Sequence, residues 1–338
     1  MTAPLISICI PAFETETYLE QCLHSAFAQN FDSFEILVVS DASSGRDEKG
    51  RSAKKIVRTA DKEGKKFRKK KSLANVELRF IEHSENRGIL EVRRTLTYEA
   101  RGEFIFFLDS DDELIPDALS TLWGAEVQQA YDIVHGNFVS GWYNEDGSFI
   151  ASECTKCGAI FYGEVKEHDI FHKWISGEIS GNVCGKLIRR NLLVFAFDNI
   201  PYTECNMADD FLIFFFVSQL ARTYLGVEEK IYRYRISSGM SSARKIDSLR
   251  KWQLVCSAAS VFTIISQITY GNEISSQHLN DAITDEEIIL LRKQAGLYLK
   301  TSLAQMEQTV IPELKEQALE MLCDYWGKEA VEKVLQTS

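Results

Sequence analysis

The sequence lacks the long apolar runs that mark membrane spans and secretory leaders. Its longest uninterrupted apolar run, 211–217, is too short to cross a bilayer, and residues 1–4 lead directly into a short strand-like segment. Only five prolines interrupt 338 residues, of which 45% are hydrophobic. This composition is typical of a globular protein with one large core, or with one core and a smaller appendage. We therefore expect a cytoplasmic protein without a signal region or a transmembrane helix.

Two common phosphate-binding motifs are also missing. No Gly-x-Gly-x-x-Gly follows the first predicted strand and no Walker loop occurs, which argues against a dinucleotide site and excludes nucleotide hydrolysis through such a loop. The net charge of −11 argues against binding to nucleic acid. Most of the eight cysteines lie in apolar segments and are expected to be reduced core residues. Cys154-x-x-Cys157 has no second pair at zinc-finger spacing, so a zinc site there is the less favoured alternative.

The most informative stretch is an apolar run, 104–108, that leads directly into a cluster of carboxylates. Such a run predicts a buried strand, and ligands of open α/β sheets bind at the carboxyl ends of the strands. Several carboxylates at one edge repel one another unless a cation joins them. Mg²⁺ or Mn²⁺, which can also bind phosphate oxygens, would suit Asp109 and Asp111. The alternative, that these acids only cap the next helix, applies more readily to Asp112 and Glu113.

Strands and helices alternate along the first 244 residues. A capping box, Thr17-x-x-Glu20, predicts the start of the first helix, and a turn is predicted at 144–147. Short connections between the first strand, this helix and the second strand predict a β-α-β unit within an α/β sheet. The predicted strands are 5–10, 34–39, 76–80, 104–108, 132–140, one around Tyr224 and 231–236, and the predicted helices include 90–100, 117–130, 165–176 and 211–217. Helical periodicity from about 246 to 338 predicts a separate helical appendage.

The stretch 46–71 differs from the rest of the chain in its charge. It holds thirteen Lys or Arg residues against four Asp or Glu residues, within a protein that is acidic overall. A solvated helix and loop is the favoured interpretation. The alternative is a patch that rests on anionic lipid headgroups or on an acidic polymer.

Two further groups of residues indicate the chemistry. Asp209 and Asp210 precede the apolar helix at 211–217, where the positive end of the helix dipole favours the ionised carboxylates. One of them could deprotonate an acceptor hydroxyl while a metal-bound diphosphate leaves, and a single displacement of this kind would invert the reacting carbon. Asp41 could bind a base edge, with Phe13 as a stacking face, or could merely form a turn. The candidate contacts to a diphosphate or acceptor are Arg93, Lys186, Arg235, Ser242 and Arg244.

Several motifs in a fixed order resemble glycosyltransferase family 2. They are Pro11-Ala12-Phe13, the segment 34–43, Glu85-Asn86-Arg87-Gly88 with Arg93, Ala100-Arg101-Gly102, and 107–112. The resemblance is strong over about 4–130 and continues more weakly to about 244 through Gly185-Lys186-Leu187, Asp209-Asp210 and Tyr234-Arg235. It implies a GT-A fold, a Rossmann-like mixed sheet with helices on both faces, and an inverting enzyme that uses nucleotide sugars. Glu14, Ser40 and Arg94 depart from the residues that are usual in the family.

The resemblance also implies roles for individual residues. Asp41 would contact the nucleotide base, Arg93 the nucleotide, Asp109 the ribose or metal, and Asp111 the metal, while Asp210 of the Asp209-Asp210 pair would be the catalytic base. The nucleotide-binding set is completed by Pro11, Ala12, Phe13, Glu14, Asn86 and Ser110.

These observations predict an inverting, metal-dependent glycosyltransferase. It would transfer a hexose or N-acetylhexosamine from a UDP-sugar to a glycan or lipid-linked saccharide, with Mn²⁺ or Mg²⁺, in surface polysaccharide synthesis. Its domains would be 1–244, with a nucleotide half (1–112) and an acceptor half (113–244), and a helical region at 245–338. Peripheral contact with the inner membrane face, through the basic stretch or the tail, is a further hypothesis.

Two alternatives to this enzyme remain. A nucleotide-sugar-binding protein could have kept the fold and lost turnover, although Asp109, Asp111 and Asp210 are intact. An Asp-x-Asp phosphohydrolase of the haloacid dehalogenase type is disfavoured because Glu113 stands where that motif has Thr or Val. The sequence does not predict the oligomeric state.

Overall fold

A computed structural model of the chain describes residues 4–127, 130–144, 146–152, 158–236, 245–270 and 283–337. Its centre is one mixed sheet with the strand order β3-β2-β1-β4-β9-β6-β10-β5, on which β7 pairs with β6 and β8 pairs with β10. The strands are β1 Ile6–Ala12, β2 Phe34–Ser40, β3 Glu77–Glu82, β4 Phe104–Phe107, β5 Glu113–Leu114, β6 Ile133–Tyr143, β7 Phe149–Ala151, β8 Gly163–Lys166, β9 Lys186–Arg189 and β10 Thr223–Arg235.

The first half of the sheet is parallel. Strands β3, β2, β1 and β4 lie side by side, so the loops that follow β1, β2 and β4 meet at one edge. Every residue of β1, β2 and β4 is buried, as expected for a parallel sheet with helices on both faces. The antiparallel pairing of β4 with β9 begins the mixed half. The predicted mixed α/β sheet is confirmed.

Twelve α-helices are described, together with a 3₁₀ turn at Pro312–Leu314. They are α1 Glu16–Phe27, α2 Ala53–Lys70, α3 Ile89–Glu99, α4 Ala118–Val127, α5 Asp169–Ile175, α6 Arg190–Asn199, α7 Asp209–Leu220, α8 Leu249–Cys256, α9 Ala258–Tyr270, α10 Asp285–Thr309, α11 Lys315–Trp326 and α12 Lys328–Thr337. Helix α7 is apolar on all sides and its segment 211–217 is buried throughout, as the sequence predicted. It positions Asp209 and Asp210 in its first turn.

Some predicted local features are wrong. Helix α1 begins at Glu16, so Thr17 and Glu20 do not form its capping box. Glu20 instead accepts hydrogen bonds from Arg51, a long-range partner that a local motif cannot reveal. The helix predicted at 165–176 is only Asp169–Ile175.

The start of that predicted helix is part of a strand. Val165 belongs to β8 because it pairs with Tyr224 across the sheet. The two strands predicted around Tyr224 and at 231–236 are one long strand, β10, whose register against β6 is irregular between Gly226 and Tyr232.

The C-terminal helices contribute to two hydrophobic clusters. Val261 and Ile264 of α9 and Leu291 of α10 join the main core, where Phe262 lies 5.2 Å from Phe211 of α7 between ring centroids. A second cluster includes Trp252, whose indole N–H donates to the Ala318 carbonyl at 2.8 Å. The helical region therefore packs directly on the helix that carries Asp209 and Asp210.

One helical stretch among the described residues, Leu249–Tyr270, is long and apolar enough by composition to span a bilayer. The sequence expectation, which counted only uninterrupted apolar runs, missed this segment. Half of its most apolar window is buried within the fold, as in a core helix, so the stretch is weak evidence for a membrane span.

Candidate active site

A cavity of about 840 Å³ opens where the carboxyl ends of β1, β2 and β4 meet α7 and the C-terminal helices. This volume is in the range of small-molecule sites. Twelve of the residues predicted from the sequence line it: Pro11, Ala12, Phe13, Glu14, Asp41, Asn86, Arg93, Asp109, Ser110, Asp111, Asp209 and Asp210.

Asp41 follows β2 and organises the loop after β3. Its buried carboxylate accepts hydrogen bonds from the backbone N–H groups of Arg87, at 3.0 Å, and Gly88, at 2.8 Å. His83 Nδ1 lies 2.7 Å from Asp41 Oδ1. Asp41 is therefore held in place from several sides, and it positions the predicted Asn86 loop beside the cavity. The sequence analysis missed His83, which directly follows β3 and belongs to no recognisable motif.

The acidic loop after β4 is held by buried hydroxyl groups. Ser110 Oγ lies 2.7 Å from Thr15 Oγ1, which joins this loop to the start of α1. The Tyr232 hydroxyl accepts from the Asp109 backbone N–H at 3.1 Å and donates to Asp112 at 2.9 Å. These contacts leave the Asp109 side chain 36% exposed at the cavity.

The two last acids of the cluster lie outside the cavity lining. Asp112 is buried, and its burial, with the charges of Asp111 and Asp109, raises its pKa well above the ordinary value. Glu113 interacts with the hydroxyl of Tyr143 and lies near Arg235. The structure thus separates Asp109 and Asp111, which line the cavity, from Asp112 and Glu113, which support the loop.

Arg93 of α3 joins the two sides of the cavity. Its guanidinium donates to Asp209 and Asp210 at the start of α7, and it lies 3.3 Å from Asp109 after β4. Burial alone would lower the pKa of Arg93, but these three carboxylates raise it well above the ordinary value. One buried cation is therefore shared by three acids.

Asp210 is the member of this cluster whose protonation is most perturbed. Burial raises its pKa to about 7; Arg93 opposes this change, while Asp209 and Asp109 add to it. Its side chain is 30% exposed, compared with 11% for Asp209. Asp210 is therefore the more accessible carboxylate of the pair and has a pKa that suits a base near neutral pH.

The described lining of the cavity is strongly acidic. Six carboxylates stand against two arginines, Arg93 and Arg250, and Arg93 is already engaged by three of the acids. A diphosphate placed here would be repelled unless cations entered with it. The six carboxylates are those of Glu14, Asp41, Asp109, Asp111, Asp209 and Asp210.

Asp109 and Asp111 fit the requirements of a divalent metal. Both residues line the cavity, and carboxylate oxygens are the ligands that Mg²⁺ and Mn²⁺ prefer. Within the described residues, no group of three or more His, Cys, Asp or Glu side chains is arranged to hold a metal alone. Such an ion would need further oxygens from a substrate diphosphate, which is a common arrangement for Mg²⁺.

Two predicted cations do not line the cavity. Lys186 is fully buried and its ammonium donates to the carbonyls of Ser180, at 3.0 Å, and Asn182, while burial lowers its pKa to about 7. Arg235 Nε donates to the Asp111 carbonyl at 2.9 Å. In this conformation both side chains support lining segments instead of facing a ligand.

Some predicted features cannot be placed. Ser242 and Arg244, predicted near the diphosphate or acceptor, lie outside the described residues, as do Cys154 and Cys157.

The C-terminal helices supply lining residues that the sequence analysis missed. Arg250 of α8 and Gln294 and Tyr298 of α10 reach the cavity, together with Trp174 and Asn206 from elsewhere in the chain. Helical periodicity identifies which face of these helices is buried but not which neighbour covers it, so no signal in the sequence indicated this wall.

Comparisons with known proteins agree with this geometry. The family model described as "Glycosyl transferase family 2" matches residues 7–188. The chain is 27% identical over 237 residues to EpsH of Bacillus subtilis, which is named as a proposed glycosyltransferase, and the match covers 70% of this chain and 62% of EpsH. It is 27% identical over 175 residues to the GalNAc(5)-diNAcBac-PP-undecaprenol beta-1,3-glucosyltransferase of Campylobacter jejuni, covering 52% of this chain and 50% of that protein.

A solved structure shows the same fold. The crystal structure of S. aureus TarS 1-349 in complex with UDP-GlcNAc aligns with a TM-score of 0.53 at 18% identity, over 98% of this chain and 92% of that one. The chain thus spans less than two thirds of the length of either sequence relative above, but nearly all of this structural one.

Proposed function

The chain belongs to glycosyl transferase family 2 and is a glycosyltransferase, and from this premise we propose that it moves a hexose or N-acetylhexosamine from a UDP-sugar to a saccharide acceptor. The observation that carries the proposal is that Asp109, Asp111 and Asp210 line one cavity, where the guanidinium of Arg93 joins Asp109 to Asp210. A donor site and a base therefore lie together.

The choice of donor rests on the walls of the cavity. Phe13 is 37% exposed and lines the cavity beside Asp41 and Asn86, where it offers a stacking face for a base. UDP-GlcNAc is the ligand of the TarS structure that shares this fold, which favours a uridine nucleotide. We place the base near Phe13 and the diphosphate near Asp109 and Asp111.

The acidic lining supports a metal-dependent reaction. Asp109 and Asp111 would hold Mn²⁺ or Mg²⁺ together with diphosphate oxygens, and the ion would supply positive charge to the leaving UDP. Arg93 cannot readily take this role, because it is buried and shared among three carboxylates.

Asp210 acts as the general base in this proposal. It accepts the proton of the acceptor hydroxyl, whose oxygen forms a bond to the anomeric carbon of the donor while the bond to the diphosphate breaks. The electron pair of that bond leaves with UDP. Because the acceptor attacks from the face opposite the leaving group, a single displacement inverts the anomeric centre. Arg93 and Asp209 position Asp210.

The acceptor side is formed by the C-terminal helices. Arg250 lines the cavity and has no carboxylate partner within the described part of the chain. We assign it to an anionic group of the acceptor, such as the diphosphate of a lipid-linked saccharide, the substrate class named for the Campylobacter relative. The region from 245 onward then completes the acceptor site of the 1–244 domain, and the enzyme would act in surface polysaccharide synthesis.

The test is UDP release from a panel of UDP-sugars, with and without acceptor saccharides, in Mn²⁺, in Mg²⁺ and in EDTA. One donor should turn over, EDTA should abolish the reaction, and Asp111→Asn should reduce it at least about 100-fold because a metal ligand is lost. NMR of the product should show an inverted anomeric configuration. Asp112→Asn is the matched control, since Asp112 supports the same loop but does not line the cavity.

Several outcomes would contradict the proposal. Full turnover in EDTA would show that the reaction does not need a metal. A retained anomeric configuration in the product would contradict a single displacement. A donor that binds without reacting with any acceptor would instead favour a silent nucleotide-sugar-binding protein.

A further inference from the structure

The outer side of helix α2 presents a row of cations. Five exposed residues recur every three or four positions along this helix and so lie on one side of it: Lys55, Arg58, Lys62, Lys66 and Lys69. We call them the α2 cationic face. The buried residues Ile56, Val57, Ala60 and Gly64 lie on the opposite side, against the core.

The cationic face differs from the other basic residues of the same stretch. Arg51 pairs with Asp47 and Glu20, and the buried Arg68 donates to the carbonyls of Gln29 and Phe31. None of the five face residues has an ion pair within the described ranges. Arg51 and Arg68 therefore stabilise the fold, whereas no such contact among the described residues explains the five exposed residues of the cationic face.

The side of α2 opposite the cationic face packs closely against α1. Gly64 lies so close to the ring of Phe27 in α1 that a side chain at this position would collide with it. The row runs from Lys55 to Lys69 within this helix, so it extends for about 20 Å along the protein. Lys70 and Lys71 add two more exposed cations near the end of the helix, and an extended basic surface results.

We infer that the α2 cationic face docks the protein on an anionic lipid bilayer. An anionic membrane surface attracts basic residues close to it, and this helix presents five of them in one row. The protein as a whole carries a charge of −11, so attraction to an anionic surface requires an orientation that turns a basic surface such as α2 towards the lipid. The face residues line neither described cavity, which favours a flat partner over a polymer held in a groove.

The inference does not depend on the proposed transfer reaction. The test is sedimentation with vesicles of phosphatidylcholine alone or mixed with phosphatidylglycerol, at low and high salt. Wild type should bind only the mixed vesicles and should be released by salt. The variant K62E/K66E should bind at least about tenfold more weakly, because two attractions become repulsions.

The matched control is K293E/K300E on α10, which makes the same change of net charge at two exposed lysines. It should bind mixed vesicles within about twofold of wild type if the α2 face is the docking surface. Both variants should keep wild-type circular dichroism, since the altered side chains are exposed.

Four results would overturn the inference. In the first, K62E/K66E binds mixed vesicles as well as wild type. In the second, K293E/K300E loses as much binding as K62E/K66E, so that net charge alone explains the loss. Salt-resistant binding to neutral vesicles would point to the apolar stretch Leu249–Tyr270. Binding to soluble poly-glutamate that is stronger than binding to mixed vesicles, and is lost in K62E/K66E, would assign the face to an acidic polymer.

Discussion

The cavity has two walls that differ in origin. One wall comes from the family-matched part of the chain, 7–188, and includes strand ends, the loops that follow them and residues of α3 and α5. The other comes from outside that match and includes the start of α7, the segment before it, and residues of α8 and α10. The first wall holds Asp109 and Asp111, and the second holds Asp210 and Arg250.

The difference suggests a division of labour. The strand-end wall is fixed by buried hydrogen bonds, such as those of Asp41 to the 87–88 backbone, and suits a donor whose nucleotide is constant. The helical wall includes side chains from separate helices, and we propose that it binds the acceptor. Arg93 connects the two, because it donates to carboxylates of both. Variants on the two walls should therefore fail in different ways.

Asp210→Asn, on the helical wall, should show the largest difference between its effect on turnover and its effect on donor binding at the strand-end wall. Loss of the base should lower kcat by about 10² to 10⁴-fold, while the affinity for the UDP-sugar with Mn²⁺ should stay within about threefold of wild type. Asparagine keeps the shape of the side chain and can still accept from Arg93. Kinetics of UDP release and calorimetric titration with the donor measure the two effects.

Asp209→Asn is the control for this variant, because Asp209 is less exposed but contacts the same guanidinium. It should lose less activity than Asp210→Asn. If Asp209→Asn were the more damaged variant, or if Asp210→Asn mainly lost donor affinity, Asp210 would not be the base.

The pH dependence of kcat/KM and that of donor affinity should also distinguish the two walls. Asp210 must be ionised to accept a proton, and its pKa of about 7 means that acid converts it to the inactive form. We expect kcat/KM to fall about tenfold per pH unit below about 7 and to level off above it. Donor affinity, measured over the same range, should change much less. A flat kcat/KM between about pH 5 and 8 would contradict the raised pKa, and the residual activity of Asp210→Asn should lack this inflection.

The two walls were not equally predictable from the sequence. Parallel strands bring the ends of 5–10, 34–39 and 104–108 to one edge by topology alone, so residues after them could be assigned to one site. The sequence could not predict the contacts of Lys186, because a cation near a strand end can also turn inward to bind carbonyls, as Lys186 does with Ser180. Arg250 could not be found, because the packing of α8 and α10 on α7 depends on tertiary contacts that periodicity does not specify.

Arg250→Gln is the mildest test and examines the helical wall alone. Loss of a charged contact to an anionic acceptor should raise the acceptor KM about tenfold, while kcat and donor affinity should change little. Lys251→Gln is the matched control, since Lys251 is the next residue on α8 but pairs with Asp247 at 2.8 Å and does not line the cavity. An acceptor analogue without phosphate should be handled equally by wild type and Arg250→Gln. If Arg250→Gln instead weakened donor binding, Arg250 would belong to the diphosphate of the donor, and the division between the walls would fail at this residue.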